Sequence, residues 1–420
     1  MNTGQTDRIK LIGDAQTSDA YAFRDFLLRS VVSYEWIELK SDEDCLRETG
    51  FQTLSEAPLP IVVMPDGTQL NAPTLHELAD RLGWVVEPRL HEYDVSIYGA
   101  GPAGLSAAVY AASEGLRAVL IERHAVGGQA GSSSLIENYM GFPQGISGAE
   151  LAERARQQAV RFGIEILQMR EGVKAEFRDG RIFVDLADGS KLTARANICA
   201  TGVEWRRMGL QDEAKFLGRG FYYGAGMSEA PHCRNENVFV VGGANSAGQA
   251  AMHLADYAGH VTMLVRGHTF KGTMSRYLSD RILSHPKIDV RFNTEVVELS
   301  GDNCLQRIAL LDHRAKLTGW EKTGRLFVCI GGLPNTDWAK DTSIIRDASG
   351  FLVTGSDLMP DGTPPAGWPL DRAPFHLETS VPGSFAAGDV RSGSVKRLAT
   401  AVGEGGMAIT FVHRHLADTP

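Results

Sequence analysis

Gly99, Gly101 and Gly104 follow the apolar run Val95–Tyr98, and Glu122 closes the next apolar run 18 residues past Gly104. Glycines at this spacing, with an acid at that distance, suit binding of an adenine dinucleotide. The first glycine makes a tight turn, and the second lets backbone approach a pyrophosphate. The third lets the following helix pack closely on the strand, so that the helix N-terminus faces the phosphates. Glu122 is then placed to accept from ribose hydroxyls.

A second constellation lies at Gly242-Gly243-Ala244-Asn245-Ser246-Ala247. It again follows an apolar run, Val238–Val241, but alanine replaces the glycine that normally leaves room for pyrophosphate. Beyond the next strand, Val265-Arg266-Gly267-His268-Thr269-Phe270-Lys271 presents Arg266 and Lys271 and no acid. On charge this favours the 2′-phosphorylated nucleotide, NADPH, over NADH. Asp256, His260, His268 and His285 lack metal-ligand spacing. Tyr222-Tyr223 is placed either to stack on a cofactor ring or to fill a core.

These residues need two strand–turn–helix units. The first, from Tyr93, returns through an antiparallel hairpin at Phe177–Asp188 and through Ile198–Gly202. The second predicts a strand at 238–241, a helix to about Ala258 and a strand at 261–265. Leu326–Gly332 then leads back to Ser384–Asp389. A nucleotide-binding domain at 203–334 inserted into another at 92–202 and 335–420 accounts for every segment. Ahead of them, 1–86 reads as a small separate domain. Its strand at Ile9–Ile12 and helix at 18–29 are followed by a strand at 36–39 and a helix at 42–48. Apolar Leu59–Val63, a turn at Pro65-Asp66-Gly67, a short strand and a helix at 73–82 complete it. That order resembles the thioredoxin/glutaredoxin fold, with Leu59-Pro60 where the fold keeps its cis-proline. The segment that would carry its dithiol reads DAQTSDAY at 14–21, without cysteine.

Composition bounds the rest. A chain of 420 residues holds two or three domains, and 43% apolar with 22% charged residues is ordinary for a globular protein. A net charge of −9 argues against nucleic acid or an anionic membrane as partner. No apolar run reaches the ~18 residues needed to cross a bilayer, and MNTGQTDRIK lacks the apolar core of a signal peptide. Cys45, Cys199, Cys233, Cys304 and Cys329 form no Cys-x-x-Cys pair. An odd, scattered set suggests reduced thiols and a cytoplasmic protein. Cys45 is expected as a buried apolar residue. Cys233 is expected as a surface thiol, with a reactive one, its pKa lowered by His232 and Arg234, as the alternative.

From 93 to about 417 the chain resembles the thioredoxin-reductase branch of the pyridine-nucleotide-disulfide oxidoreductases. The resemblance rests on GAGPAG at 99–104 with its flanks, Gly127-Gly128-Gln129 and Ile136-Glu137-Asn138-Tyr139. ATG at 200–202, GGANSA at 242–247, Ile330-Gly331 before Pro334-Asn335-Thr336, and FAAGD at 385–389 follow in family order. It implies an α/β fold with two Rossmann-like, three-layer domains beside the small thioredoxin-like one, an FAD cofactor and a homodimer. It places Gly99, Gly101, Pro102, Ala103 and Gly104 at the pyrophosphate and Glu122 and Arg123 at the adenosine. Gly128, Gln129, Asn138, Thr201 and Gly202 fall near the flavin, and Gly388 with Asp389 at the ribityl chain. Lys396, Arg397 and Leu398 fall by the flavin ring, a solvated helix face being the alternative for the two cations. Gly243, Ala244, Asn245, Ser246, Arg266, Lys271 and Gly331 are assigned to NADPH.

One departure matters. The family's Cys-x-x-Cys, carried over from Gly218-Arg219-Gly220, falls on Gly224-Ala225-Gly226-Met227. Thiol–disulfide exchange needs a thiolate, which glycine and methionine cannot supply. The expectation is therefore an FAD-dependent NAD(P)H oxidoreductase passing electrons to an unidentified acceptor without a protein dithiol. The alternatives are a ferredoxin- or flavodoxin-type NADP reductase, a flavin-binding regulatory protein with a decayed NADPH site, and disulfide reduction through Cys233.

Overall fold

The computed structural model describes residues 8–418. Most of the residues behind the signal-peptide expectation, 1–7, lie outside them, as do 419–420. The chain forms two compact units. The first holds the chain up to Leu78, Ser132–Leu135 and Trp205–Gly331; the second holds Ala79–Gly131, Ile136–Glu204 and Gly332 onward. The N-terminal residues, expected to stand alone, thus share a unit with the second nucleotide-type segment.

The first unit begins with a four-stranded sheet. Its order is Tyr34–Glu38, Ile9–Gly13, Ile61–Val63, Gln69–Asn71, with the first pair parallel and the others antiparallel. The helix Ser18–Arg29 starts where expected because the Thr17 hydroxyl accepts the Ala20 N–H, and it buries Ala20, Phe23 and Leu27. The second strand begins two residues before its expected start. The Leu59–Pro60 peptide is cis.

The larger part of this unit is a five-stranded parallel sheet, ordered Phe221–Tyr223, Leu326–Val328, Asn237–Val241, His260–Val265, Ile288–Phe292. Strands buried on both faces read as continuous apolar runs, as VFVV at 238–241 and MLV at 263–265 do here. The helix Asn245–Ala255 ends three residues before the expected Ala258, whose N–H still bonds the Leu254 carbonyl as a turn. Three antiparallel strands, Thr294–Ser300, Arg307–Asp312 and Leu317–Lys322, follow.

The second unit is built on a sheet ordered Glu165–Gln168, Ala118–Glu122, Glu92–Tyr98, Lys191–Cys199, Arg181–Leu186, Gly172–Arg178. The first four strands are parallel and the hairpin is antiparallel. Ser384–Ala386 adds in parallel to Lys191–Cys199. Glu92–Tyr98 lies between Ala118–Glu122 and Lys191–Cys199, so the chain departs to one side and returns on the other. The C-terminal end of that strand is the crevice where open α/β sheets bind ligands. The C-terminal helix Leu398–Asp418 packs with the helix Pro102–Ser113 over an alanine-rich core.

Candidate functional site

At that crevice the chain makes a tight turn. Gly99 has φ +98°, and a side chain at Gly104 would overlap the Gly99 carbonyl oxygen. Gly101 faces open space: the nearest atom to a Cβ there is Cα of Gly128, at 3.9 Å. A cradle lined by Gly101 and Gly128 admits a bulky anion against bare backbone. Pro102 opens the helix Pro102–Ser113, whose N-terminus has no side-chain cap and is left to a ligand. Ala103 follows, buried.

Glu122 is buried, and its carboxylate braces this turn. Oε2 accepts the Ala100 N–H (2.7 Å), and Oε1 accepts that of His124 (2.8 Å). A carboxylate offers about four acceptor positions, so about two remain for hydroxyls. Glu122, Arg123 and Thr201 border one cleft with Gly99, Cys199 and Trp338. Arg123 pairs with Glu171 (3.2 Å) and with Glu204. The Thr201 hydroxyl donates to the Asn335 carbonyl (2.9 Å), and the Gln129 amide to that of Val203 (2.9 Å). Gly202 continues this rim at φ +63°.

Asp389 arrives from the far end of the chain on the short turn Gly388–Val390. Burial pushes its carboxyl above the usual range, Lys396 opposes the shift and Glu404 adds to it. Among the described residues no protein hydrogen bond reaches that carboxylate. A half-buried acceptor left open beside a glycine cradle fits a hydroxylated chain between phosphate and ring. Lys396 and Arg397 are exposed, Lys396 lying over the Phe351 ring at 4.3 Å, and Leu398 begins the last helix. Asn138 is exposed.

Sequence reasoning missed Glu404. It is buried in the last helix, its Oε2 accepting the Gly388 N–H (2.7 Å) and its Oε1 the Arg391 Nη2 (2.6 Å). The available signal was an acid between two glycines, Gly403 and Gly405, on an otherwise apolar helix face. A second apolar cleft of about 430 Å³ lies between Pro102–Ser113 and Gly148–Arg161, with Tyr139, Phe142 and Leu398 in its wall.

In the first unit, Ala244 caps the helix Asn245–Ala255 at φ −109°, a conformation open to any residue. Asn245 is turned inward: its Oδ1 accepts from the N–H and hydroxyl of Ser275, each at 2.7 Å. The Thr273 hydroxyl donates to the Gly243 carbonyl (2.7 Å). The loop carrying Arg266 and Lys271 is thereby tied to the glycine turn. Both cations, Ser246 and Gly331 are exposed.

Of the two placements open to Tyr222-Tyr223 the structure takes the core, Tyr222 stacking on Phe327 (5.2 Å) and the Tyr223 hydroxyl donating to Glu213 (2.8 Å). One expectation fails. Cys233 is neither a surface thiol nor an activated one. It is fully buried, its thiol donates to the Glu229 carbonyl (3.3 Å), and desolvation pushes its pKa up to about 12. His232 and Arg234 do not offset that burial. Cys45 is buried as expected.

Two crevices of dinucleotide type, each at the C-terminal ends of a parallel sheet, define a flavin- and nicotinamide-binding oxidoreductase architecture. The comparisons agree. Residues 93–405 match the Pyridine nucleotide-disulphide oxidoreductase family. A thioredoxin reductase of Treponema pallidum is 36% identical over 317 residues, covering 76% of this chain and 95% of that protein. A 34.2 kDa protein in the rubredoxin operon of Clostridium pasteurianum is 31% identical, covering 77% and 97%. The thioredoxin reductase of Lactococcus lactis superposes with a TM-score of 0.69 at 27% identity, covering 78% of this chain and 99% of that one. The chain belongs to the pyridine nucleotide-disulphide oxidoreductases and is an FAD-dependent NAD(P)H oxidoreductase of thioredoxin-reductase type.

Proposed function

We propose that the chain passes electrons from NADPH through FAD to an acceptor without a protein dithiol in between. The observation that carries this is the segment Gly224–Met227, which holds no cysteine, together with the state of the thiol nearest to it in sequence. Cys233 is buried and, with its pKa near 12, is almost entirely protonated at neutral pH. Bound FAD would supply two-electron chemistry, and the protein's part is position and electrostatics. Gly99–Gly104 and the helix at Pro102 would hold the pyrophosphate. Glu122 with Arg123 would hold the adenosine, and Asp389 the ribityl hydroxyls. Gly128, Gln129, Asn138, Thr201, Gly202, Lys396, Arg397 and Leu398 would surround the flavin.

Arg266 and Lys271 would select the 2′-phosphate of NADPH at the Gly243–Ser246 turn and Gly331. The N-terminal unit is assigned a thioredoxin-like fold, supported by its strand order and helix placement, and the domains are assigned as 1–86, 92–202 with 335–420, and 203–334. A homodimer is proposed on the family resemblance alone, and a cytoplasmic site on the scattered free thiols. Among the described residues no helix is long and apolar enough to cross a membrane.

Anaerobic mixing of the oxidised holoprotein with NADPH tests this reading. The visible flavin band bleaches, and added thiol-alkylating reagent leaves the rate unchanged. Failure to bleach would favour the flavin-binding regulatory alternative, to which Ala244 is the pointer.

A further inference from the structure

The N-terminal residues lie outside 93–405, the part of the chain that matches the family. In this structure those residues are docked within the first unit. Arg24, on the helix Ser18–Arg29, is 1% exposed, and its partner Glu229 is 0% exposed. Arg24 Nη2 (2.7 Å) and Nε (3.2 Å) both donate to Glu229 Oε1, and Nη2 also donates to the Ala15 carbonyl (3.3 Å). The guanidinium lies 4.6 Å from the Trp36 ring centre. Glu229 Oε2 faces Arg325 Nη1 at 3.9 Å, and that nitrogen donates to the Tyr222 hydroxyl (2.8 Å).

Aromatic contacts extend the seam. The Tyr21 ring lies 5.1 Å from Tyr222, and Trp36 lies 6.3 Å from His232. At Gly218, whose φ is +75°, a side chain would reach Ser18 Cα at 2.8 Å. Tyr21 packs against the same cluster as Ala225, on the sheet face that also receives the helix Asn245–Ala255. The helix Ser18–Arg29 therefore extends the helical layer over the edge strand Phe221–Tyr223.

A loosely tethered module would keep its charges in water, because burying an ion without its partner is costly. Here Arg24 is buried against Glu229, and Glu229 against Arg24 and Arg325. The N-terminal residues pack on either side, in sequence, of the thiol-free segment Gly224–Met227, through Ser18 at Gly218 and Arg24 at Glu229. We propose that the N-terminal unit is a resident partner, locked onto the nucleotide-binding sheet through Arg24–Glu229, and that it closes the face beside Gly224–Met227 to other thioredoxin-fold proteins. Docking stands apart from the flavoprotein reading, and only the second clause bears on where an acceptor can approach.

Hydrogen exchange on the full-length holoprotein tests the docking without recourse to activity. In the wild type, amides of 18–29 and 229–233 exchange as slowly as those of the strand Asn237–Val241. Glu229→Gln leaves Arg24 buried without its counter-charge and speeds exchange in both segments by on the order of a hundredfold. The double variant Arg24→Met/Glu229→Met leaves no orphaned charge and recovers most of the protection. Fast exchange of 18–29 in the wild type overturns the docking, as does a Glu229→Gln effect confined to 229–233. A dithiol thioredoxin is the probe for closure. It leaves exchange at 218–234 unchanged in the wild type, and added protection there would refute the second clause.

Discussion

Glu404→Gln isolates the contact that joins the last helix to the Gly388–Asp389 turn. The carboxylate is 7% exposed, with Gly388 N–H on one oxygen and Arg391, 11% exposed, on the other. Glutamine keeps the shape, but one of its two terminal atoms is an amide nitrogen. Whichever way the amide turns, that nitrogen faces a donor. A buried donor left unsatisfied costs about 1–3 kcal/mol, and orphaning a buried ion about 3–5 kcal/mol. Arg391 keeps a bond from Nη1 to the Ser392 carbonyl (3.1 Å) and some access to water. The expected loss is therefore about 2–3 kcal/mol, or a fall in melting temperature of roughly 5–10 °C for a unit of this size. Misplacing Asp389 should weaken FAD by about thirtyfold, read by fluorescence titration of the apoprotein. Asp389 adds a pH signature. Burial raises its carboxyl and Glu404 raises it further. A raised carboxyl lends stability that is fully present below the unfolded pKa and lost as pH rises through the folded one. The apoprotein should lose this contribution between those two points, and Glu404→Gln should shrink that loss. A variant that melts with the wild type and holds FAD equally well would refute the argument.

Gly128→Ala puts a Cβ 3.1 Å from Gly101 Cα at φ +54°, so the protein should fold but bind FAD at least ~10-fold more weakly. Ala244→Gly should lower the KM for NADPH by up to about tenfold, about 1.4 kcal/mol, with the flavin content unchanged. Arg266→Ala/Lys271→Ala should cut the preference for NADPH over NADH by about tenfold or more in initial-rate comparisons. In the native protein Ellman's reagent should find one readily reactive thiol, since Cys304 is partly exposed and the other four are buried. Cys233→Ser should leave NADPH-driven turnover unchanged, and a loss would revive the disulfide route.

Residues whose job is set by backbone were legible in sequence. A turn at φ +98° requires glycine whatever its neighbours, so Gly99 and Gly104 announced both the crevice and the strand preceding it. The apolar runs at Val95–Tyr98 and Val238–Val241 announced strands covered on both faces. Residues whose job depends on a distant partner were silent. Arg24 and Glu229 lie 205 positions apart, and each alone reads as an ordinary surface charge on a helix or loop. Glu404 is silent alike until Gly388 and Arg391 are folded against it. Cys233 went wrong for the same reason: its polar neighbours in sequence suggested a surface thiol, while the environment that sets its pKa is the core under the strand Asn237–Val241. The hidden part of this chain is its buried charge. Sequence shows an ion's type, but only packing shows whether water has been taken from it. Once water is gone, the partner becomes obligatory. The feature that distinguishes the N-terminal unit from a tethered module, one ion pair, is therefore of the kind that no motif records.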